Sequence, residues 1–444
     1  MKYLWLVLAL VGCGEPRRDG NFVDGGIMGE CSPGDHMFCY DGPAATQGVG
    51  ACRPGNFICD PYGHWGTTCE DQVLPEPLEV CGDTVDKNCD GVLPGPGNFE
   101  VLNNGIDDDC DGNIDNAESC DTGIQSDTAD PMNLAKAIDL CKTTTMADTS
   151  HWGLITAALS YANGSGTPSP LSHAVRPHYG TNVLPKAGSA LLELSTGPGA
   201  AVGDVFPDYV ALQTAPGNGG SSPFPSDFLA ANAGHLPNSP GCPEPNGNTA
   251  NDPVMLALLV RVPVNAKSFT LQANFFSAEF PEWVCSPYDD YFVVLLDSTY
   301  MGATPNPADK NIAFYQAMNS QTKYPVGVNL AYGNTGLFQQ CVSGATGCSS
   351  SGGQQGTITC PSMLDLVGTG LDTPDPGRCD ASSVQGGGTG WLTTTGNVVG
   401  GEIMLLRVAI WNTSDESFQS LVVLDNFQWS AVETTPGTVI SKTR

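Results

Sequence analysis

The 17 cysteines of this 444-residue chain limit its fold more than any other feature. Setting Cys13 aside leaves an even 16, ten of them between Cys31 and Cys141 and six between Cys242 and Cys379. So many thiols are rare in a reducing cytosol, and an oxidising compartment would close them into disulfides. The division along the chain predicts two modules that each close their own bridges. Cysteines 31, 39, 52, 59 and 69 are separated by Gly, Pro and Asn with few apolar residues. A segment with so little to bury must be stapled. Zinc is the rival use of such cysteines, but no CxxC pair occurs among them, so disulfides are expected.

Upstream, residues 3–11 form an apolar run too short to span a bilayer and suited to a secretion signal. Leu10-Val11-Gly12-Cys13 resembles a bacterial lipobox. That resemblance implies cleavage after residue 12, a lipid on Cys13 and a membrane tether, with an outer-membrane or cell-surface address because Gly14 is not the retention aspartate. Residues 13–30 then read as a linker.

The most specific motif is the run from Asp107 to Glu118. Asp107, Asp109, Asp111, Asp115 and Glu118 occupy loop positions 1, 3, 5, 9 and 12, with Gly112 at 6. Alternating carboxylates, a sharp glycine turn and a terminal glutamate are the oxygen shell a hard dication prefers, so calcium is the expected ion. Ile114, at position 8, is expected to anchor the loop in a core. A first copy has Asp86, Asn88, Asp90 and Gly91 at positions 1, 3, 5 and 6, but position 12 falls on Gly97 and a weaker site is expected. The pair resembles the metal-binding motif of MopE-type bacterial surface proteins and, locally, the thrombospondin type 3 calcium repeat. Residues 31–78 resemble the small cysteine-rich repeat that often precedes that motif, through Cys39-Tyr40, Gly42-Pro43, Gly48-Val49-Gly50, Cys52 and Gly66. Copper is attached to the MopE name and is the alternative ion. If Cys89 and Cys110 are oxidised, however, the repeat of residues 79–120 offers oxygen ligands only, which favours calcium. His36, His64 and Met37 lie outside the repeat and read as surface residues, although a copper-scavenging protein would use them.

Beyond the repeat, Asp130-Pro131 opens a helical pattern with Leu134, Ile138 and Cys141 on one face. Strand patterns follow at 154–161, 190–194, 254–264, 269–275, 291–296, 402–411 and 421–429, without βαβ alternation. The expected fold is mainly β: a jelly-roll-like β-sandwich over 121–432, preceded by the small disulfide-rich module with its calcium loops and followed by a tail, 433–444. The loops at 197–250 and 341–400 exceed what a compact domain needs, which predicts disulfide-held excursions or partner-facing surfaces. Ala137-Ile138-Asp139-Leu140-Cys141, Trp152-Gly153, residues 179–183, 275–285, 289–292, 410–415 and 421–427 resemble the choice-of-anchor L domain. The resemblance implies surface display and carries no activity.

A net charge of −30 excludes the basic face that nucleic acid or an anionic lipid surface requires. Membrane association would come through the lipid. No HExxH, GxxxxGK[ST] or GxSxG motif is present. The chain therefore reads as a non-enzymatic surface protein in which a calcium-stabilised stalk presents a β-sandwich to a surface glycan or another surface protein. A hydrolase acting on polysaccharide is the remaining enzymatic alternative. Glu279, Glu282, Asp289, Asp290 and Asp425 are candidates for a second cation or ligand site, with Trp283, Tyr288 and Trp411 as aromatics that either stack on a sugar or belong to the core.

Overall fold

The computed structural model describes residues 31–76, 79–318, 320–333, 335–348, 352–373 and 386–442. The signal-like run, Cys13 and Cys379 lie outside the described residues. Two compact units are formed. One comprises Met1–Glu79 and Asp83–Leu93, the other Val80–Gly82 and Pro94–Arg444. The acidic repeat, grouped over 79–120 from the sequence, is thus divided, its first copy belonging to one unit and its second to the other.

In the first unit, β1 (His36–Cys39) pairs antiparallel with β2 (Gly55–Ile58). Its disulfides are Cys31–Cys59, Cys39–Cys69 and Cys52–Cys89. Among its described residues, the buried apolar side chains are Cys39, Cys52, Cys59, Cys69 and Cys89, all of them half-cystines. Phe38 and Tyr62 stay 80% and 85% exposed. Cross-links therefore take the place of a hydrophobic core. Closing loops of this length removes chain entropy worth about 3–4 kcal/mol per bridge.

The second unit carries the remaining strands: β3 (Gly153–Ser160), β4 (His173–Arg176), β5 (Leu191–Ser195), β6 (Ser221–Pro223), β7 (Thr249–Arg261), β8 (Ser268–Ser277) and β9 (Tyr291–Asp297). There follow β10 (Phe314–Gln316), β11 (Lys323–Gly327), β12 (Gly344–Thr346), β13 (Gly356–Ile358), β14 (Gly387–Asn397), β15 (Ile403–Thr413), β16 (Ser420–Ser430) and β17 (Gly437–Ile440). One sheet runs β10-β11-β9-β15-β7-β3 with β6 beside β7, and a second runs β17-β14-β8-β16-β5-β4. All of these pairings are antiparallel. The mainly β, two-sheet architecture expected from the sequence is what forms. Between the sheets, Phe269, Leu271, Ala273 and Phe275 of β8 meet Leu256, Leu258, Phe292, Val294, Leu406 and Val408 in one core.

The outer faces are covered as well. Phe224 and Phe228 lie over Met255, Tyr291, Val293 and Trp411, while Tyr179, Leu212, Leu366 and Leu371 lie over Phe276, Leu421 and Val423. The long connections are therefore lids on the sheets. This explains why β7, β9 and β16 read as continuous apolar runs, since strands buried on both faces need no polar alternation. The stretch 341–400, expected to be one loop, holds β12, β13 and β14. Strand β14 escapes sequence reading because GGTGWLTTTGN is poor in apolar residues, yet it pairs with β8 along most of its length. Cys120–Cys141, Cys242–Cys285 and Cys341–Cys360 close within this unit, and Cys348 is also disulfide-bonded.

The predicted helix exists but is short. Helix α1 (Pro131–Lys136) starts where Asp130 accepts from the Met132 amide at 3.0 Å. It stops because Asp139 adopts a left-handed φ of 68° and the Leu140 amide reaches back to the Ala135 carbonyl at 3.1 Å. Leu134 and Ile138 are fully buried as expected; Cys141 lies beyond the helix and is tied to Cys120.

Two predictions follow from this architecture. Under a mild reductant, protease should cut residues 31–93 while the sandwich resists, because only the first unit depends on cystines for its interior; simultaneous loss of both units would contradict this. The second concerns Asp139, whose Oδ2 is buried without a hydrogen-bond partner. Burial, and then the neighbouring Asp425, push its carboxyl up to about 8. A carboxyl raised in the folded state binds its proton more tightly there than in the unfolded chain. Its contribution is complete at acid pH and is lost as pH rises from about 4 through 8. Asp139→Asn should therefore raise unfolding free energy by about 1–3 kcal/mol at pH 9 and leave it nearly unchanged at pH 4, as followed by urea denaturation.

Candidate metal centre

Both acidic loops fold in the same way. The position 1 aspartate gathers amides from its own loop. Asp86 accepts from Cys89 at 2.6 Å and Gly91 at 2.9 Å, and Asp107 accepts from Asp111 and Gly112, each at 3.1 Å. Gly91 and Gly112 at position 6 have φ of 91° and 94°, and a Cβ on Gly112 would meet nothing. Backbone conformation, not space, demands glycine there. At position 4, Cys89 and Cys110 are likewise left-handed, at 62° and 59°. Both are in disulfides, to Cys52 and Cys81, so neither supplies a thiolate to a metal. The first loop is held tightly: the Ala51 amide donates to the Asp86 carbonyl at 2.7 Å, and a Cβ on Gly50 would lie 2.2 Å from that oxygen.

A glutamate precedes each loop by the same spacing. Glu79 accepts from the amides of Lys87 and Asn88, and Glu100 from those of Asp108 at 2.9 Å and Asp115 at 2.6 Å. In the second copy Glu100, Asp107 and Asp109 each bring one carboxylate oxygen to within 4.8 Å of the others. Three converging oxygens of this kind suit a hard cation. Burial lifts the Glu100 carboxyl above its ordinary range even though the two amides draw it down. Glu100 was not among the ligands expected from the sequence, because counting a calcium loop begins at position 1. Its signal is the recurrence of glutamate at 79 and 100, seven residues before Asp86 and Asp107.

The other expected ligands are placed differently. Asp111 accepts from the Asn113 amide at 2.7 Å and from Asn116 Nδ2 at 2.9 Å, which holds its carboxyl below the usual range. Asp115 accepts from the amides of Asn104 and Gly105. Glu118 is 3.0 Å from Lys142 Nζ, which also lies 2.6 Å from Asp109 Oδ2. Burial pushes Lys142 down, but its hydrogen bonds with Asp109 and Glu118 outweigh this and leave the ammonium raised. The lysine thus stands as an internal cation between positions 3 and 12. Ile114 is 60% exposed and anchors nothing; the next residue, Asp115, is left-handed at φ 57°. The anchor is upstream instead. Asn265 exchanges hydrogen bonds with the Phe99 backbone at 2.9 and 2.8 Å, and Trp152 Nε1 donates to the Asn98 carbonyl at 2.5 Å. The second loop is therefore built onto the sandwich.

The first copy brings Glu79, Asp86, Asn88 and Asp90 to its loop. Glu79 is 3% exposed and its Oε2 has no hydrogen-bond partner. Asn88 accepts from the Asp90 amide at 2.9 Å, and Asp90 from Val92 at 2.8 Å. His36 and His64 are exposed on the same unit, and His64 lies 3.5 Å from Asp60.

Of the second set, Glu279, Asp289 and Asp290 come together and Glu282 is buried nearby in the chain at 5% exposure. Asp425 does not join them: its Oδ2 accepts from the amides of Lys186 and Ala187, and its acid neighbour is Asp139. Trp411 is fully buried and stacked on Tyr291 with centroids 6.1 Å apart, so it is core and not a sugar platform. Trp283 packs against Tyr288 and Phe418.

A family model described as Cu-binding_MopE, "Putative metal-binding motif", matches residues 70–93 and 95–116. The chain carries this metal-binding motif in two copies. The matched segments are the two loops just described, and their glutamates Glu79 and Glu100 fall inside them. No curated protein and no solved structure matches the chain.

The geometry ranks the acids. Glu100→Gln should weaken metal binding at least tenfold, about 1.4 kcal/mol, whereas Glu118→Gln should change it little. Lys142→Met should lower metal-free stability yet tighten metal binding, since it frees Asp109 Oδ2. Calorimetric titration of the three variants decides; a larger loss from Glu118→Gln than from Glu100→Gln would restore the standard twelve-residue shell.

Proposed function

We infer that this is an exported, non-enzymatic protein that binds calcium through its second acidic loop and uses the ion to fix that loop against a β-sandwich serving as a ligand-binding or adhesive module. The observation that carries this is the convergence of Glu100, Asp107 and Asp109 on one point, with oxygen as the only donor type because Cys81 and Cys110 are joined to each other. Carboxylate oxygens select a hard dication over copper, which prefers imidazole or thiolate. Since the ion binds the folded loop, it stabilises the fold in proportion to its occupancy. The ion stiffens a loop already docked on the sandwich, a smaller role than rigidifying a separate stalk. The cystine interior of the first unit suits an oxidising location. In this reading Cys13 carries a lipid and the protein stands on the outer membrane or cell surface, as in proteins with the choice-of-anchor L domain. The sandwich faces a glycan or a second surface protein.

The second reading is metal scavenging, favoured by the copper in the matched family's name. It would draw on the exposed His36 and His64 in place of the acidic loops. Intact protein in outer-membrane vesicles, titrated with calcium and copper in parallel, separates the two. The first reading expects calcium binding at the second loop to weaken at least tenfold in Glu100→Gln, and calcium-dependent retention of vesicles on polysaccharide. Copper binding that survives Glu100→Gln and fails in a His36→Ala, His64→Ala variant would overturn it in favour of scavenging.

A further inference from the structure

A second group of acids lies inside the sandwich, far from any acidic loop in sequence. Trp411 of β15 pairs with Tyr291 of β9, so one step further Asn412 lies opposite Asp290. Ile410 and Phe292, the preceding pair, belong to the core between the sheets. Side chains alternate along strands, which puts Asp290 and Asn412 on that same inner side. From the opposite sheet, Ser420 of β16 donates its hydroxyl to Asp290 Oδ2 at 2.6 Å. Glu279, two residues past the end of β8, accepts from the Asp290 amide at 3.3 Å through Oε2. Asn412 Nδ2 donates to Gln419 Oε1 at 2.9 Å and to Asp252 Oδ2 at 3.2 Å.

Every residue of this cluster is at most 1% exposed. The cluster is short of donors. Asp290 Oδ1 and Asn412 Oδ1, each on a residue with no measurable exposure, have no hydrogen-bond partner, and neither has Oδ2 of the adjacent Asp289. Orphaned acceptors at such depth are costly. Among the described residues, no basic side chain is one of its strong charged neighbours. The strongest charged neighbours of Glu279 are Asp290, Asp289 and Asp415, and those of Asp290 are Asp415, Asp289 and Asp252. Burial and this mutual repulsion push both carboxyls well above the ordinary range. What joins acceptors that outnumber their donors is a positive ion.

We propose that Glu279, Asp290 and Asn412 Oδ1 hold a divalent cation of calcium type between the two sheets, tying the start of β9 to the ends of β8 and β15. Such an ion is structural. It bridges the two layers where the hydrophobic core gives way to polar side chains, and it is independent of the metal loop and of the adhesive reading.

The experiment uses the full chain carrying Glu79→Gln, Asp86→Asn, Glu100→Gln and Asp107→Asn, so that loop binding is removed. Calorimetry with calcium should still detect one binding event, and calcium should still raise the unfolding midpoint. Adding Asp290→Asn, or Glu279→Gln where that variant folds better, should lower the affinity at least a hundredfold and abolish the thermal shift. No calcium event in the loop-deficient chain would overturn the proposal. A second measurement is independent of folding of the variants: infrared spectra of the wild-type protein at neutral pH and saturating calcium should lack the carbonyl stretch of a buried protonated carboxylic acid assigned by Asp290→Asn. Its presence would show that protons, not a cation, neutralise the cluster.

Discussion

Excess negative charge is the constraint on which this structure turns. With 47 acidic residues against 17 basic ones, the chain cannot pair its carboxylates with lysine and arginine. It holds them with backbone amides instead. Asp107, Glu100 and Asp115 each take two main-chain donors, and Asp425 and Asp121 do the same elsewhere in the larger unit. Amide donors fix a carboxylate's position while leaving its charge intact. A carboxylate so held is preorganised for a cation, which is the physical link between the composition and the metal-binding motif.

Three of the chain's cations sit where acids would otherwise repel. Lys142 lies between Asp109 and Glu118, and Arg407 with Lys310 bridges Asp227 and Asp297 on the sandwich. Lys142 also stands 5.4 Å from the centre of the Trp152 ring, whose indole holds the Asn98 carbonyl. One side chain thus couples the metal loop to the sheet surface. The electrostatics of the loop and its packing on the sandwich are the same set of contacts.

Much of this was legible in the sequence, in proportion to how local the cause was. Turn chemistry at Gly91 and Gly112, the N-cap at Asp130 and the strands with continuous apolar runs depend on neighbours in the chain, and all are where the pattern placed them. Among the described bridges each cysteine pairs within its own half, as spacing suggested, but Cys81–Cys110 and Cys120–Cys141 belong to the larger unit and not to a module of ten. What escaped was set by distant partners. Strand β14 owes its place to pairing with β8 and not to its own Gly and Thr residues, and Glu118 is paired with Lys142, twenty-four residues on. Ile114 is exposed because Phe99 and Asn98 already provide the anchor. Glu100 was visible in principle, as a glutamate recurring at one spacing before both loops, but only a reading that compared the copies upstream of position 1 would have chosen it.

The account rests on Glu100 as the acid that closes the metal loop while holding the amides of Asp108 and Asp115. Hydrogen exchange at those two amides, followed in the intact protein with calcium and with chelator, tests it directly. Calcium should slow both by at least tenfold and leave the amides of β15 unchanged. Exchange at Asp108 and Asp115 that is indifferent to calcium, in protein shown by calorimetry to bind the ion, would place the metal elsewhere and contradict the account.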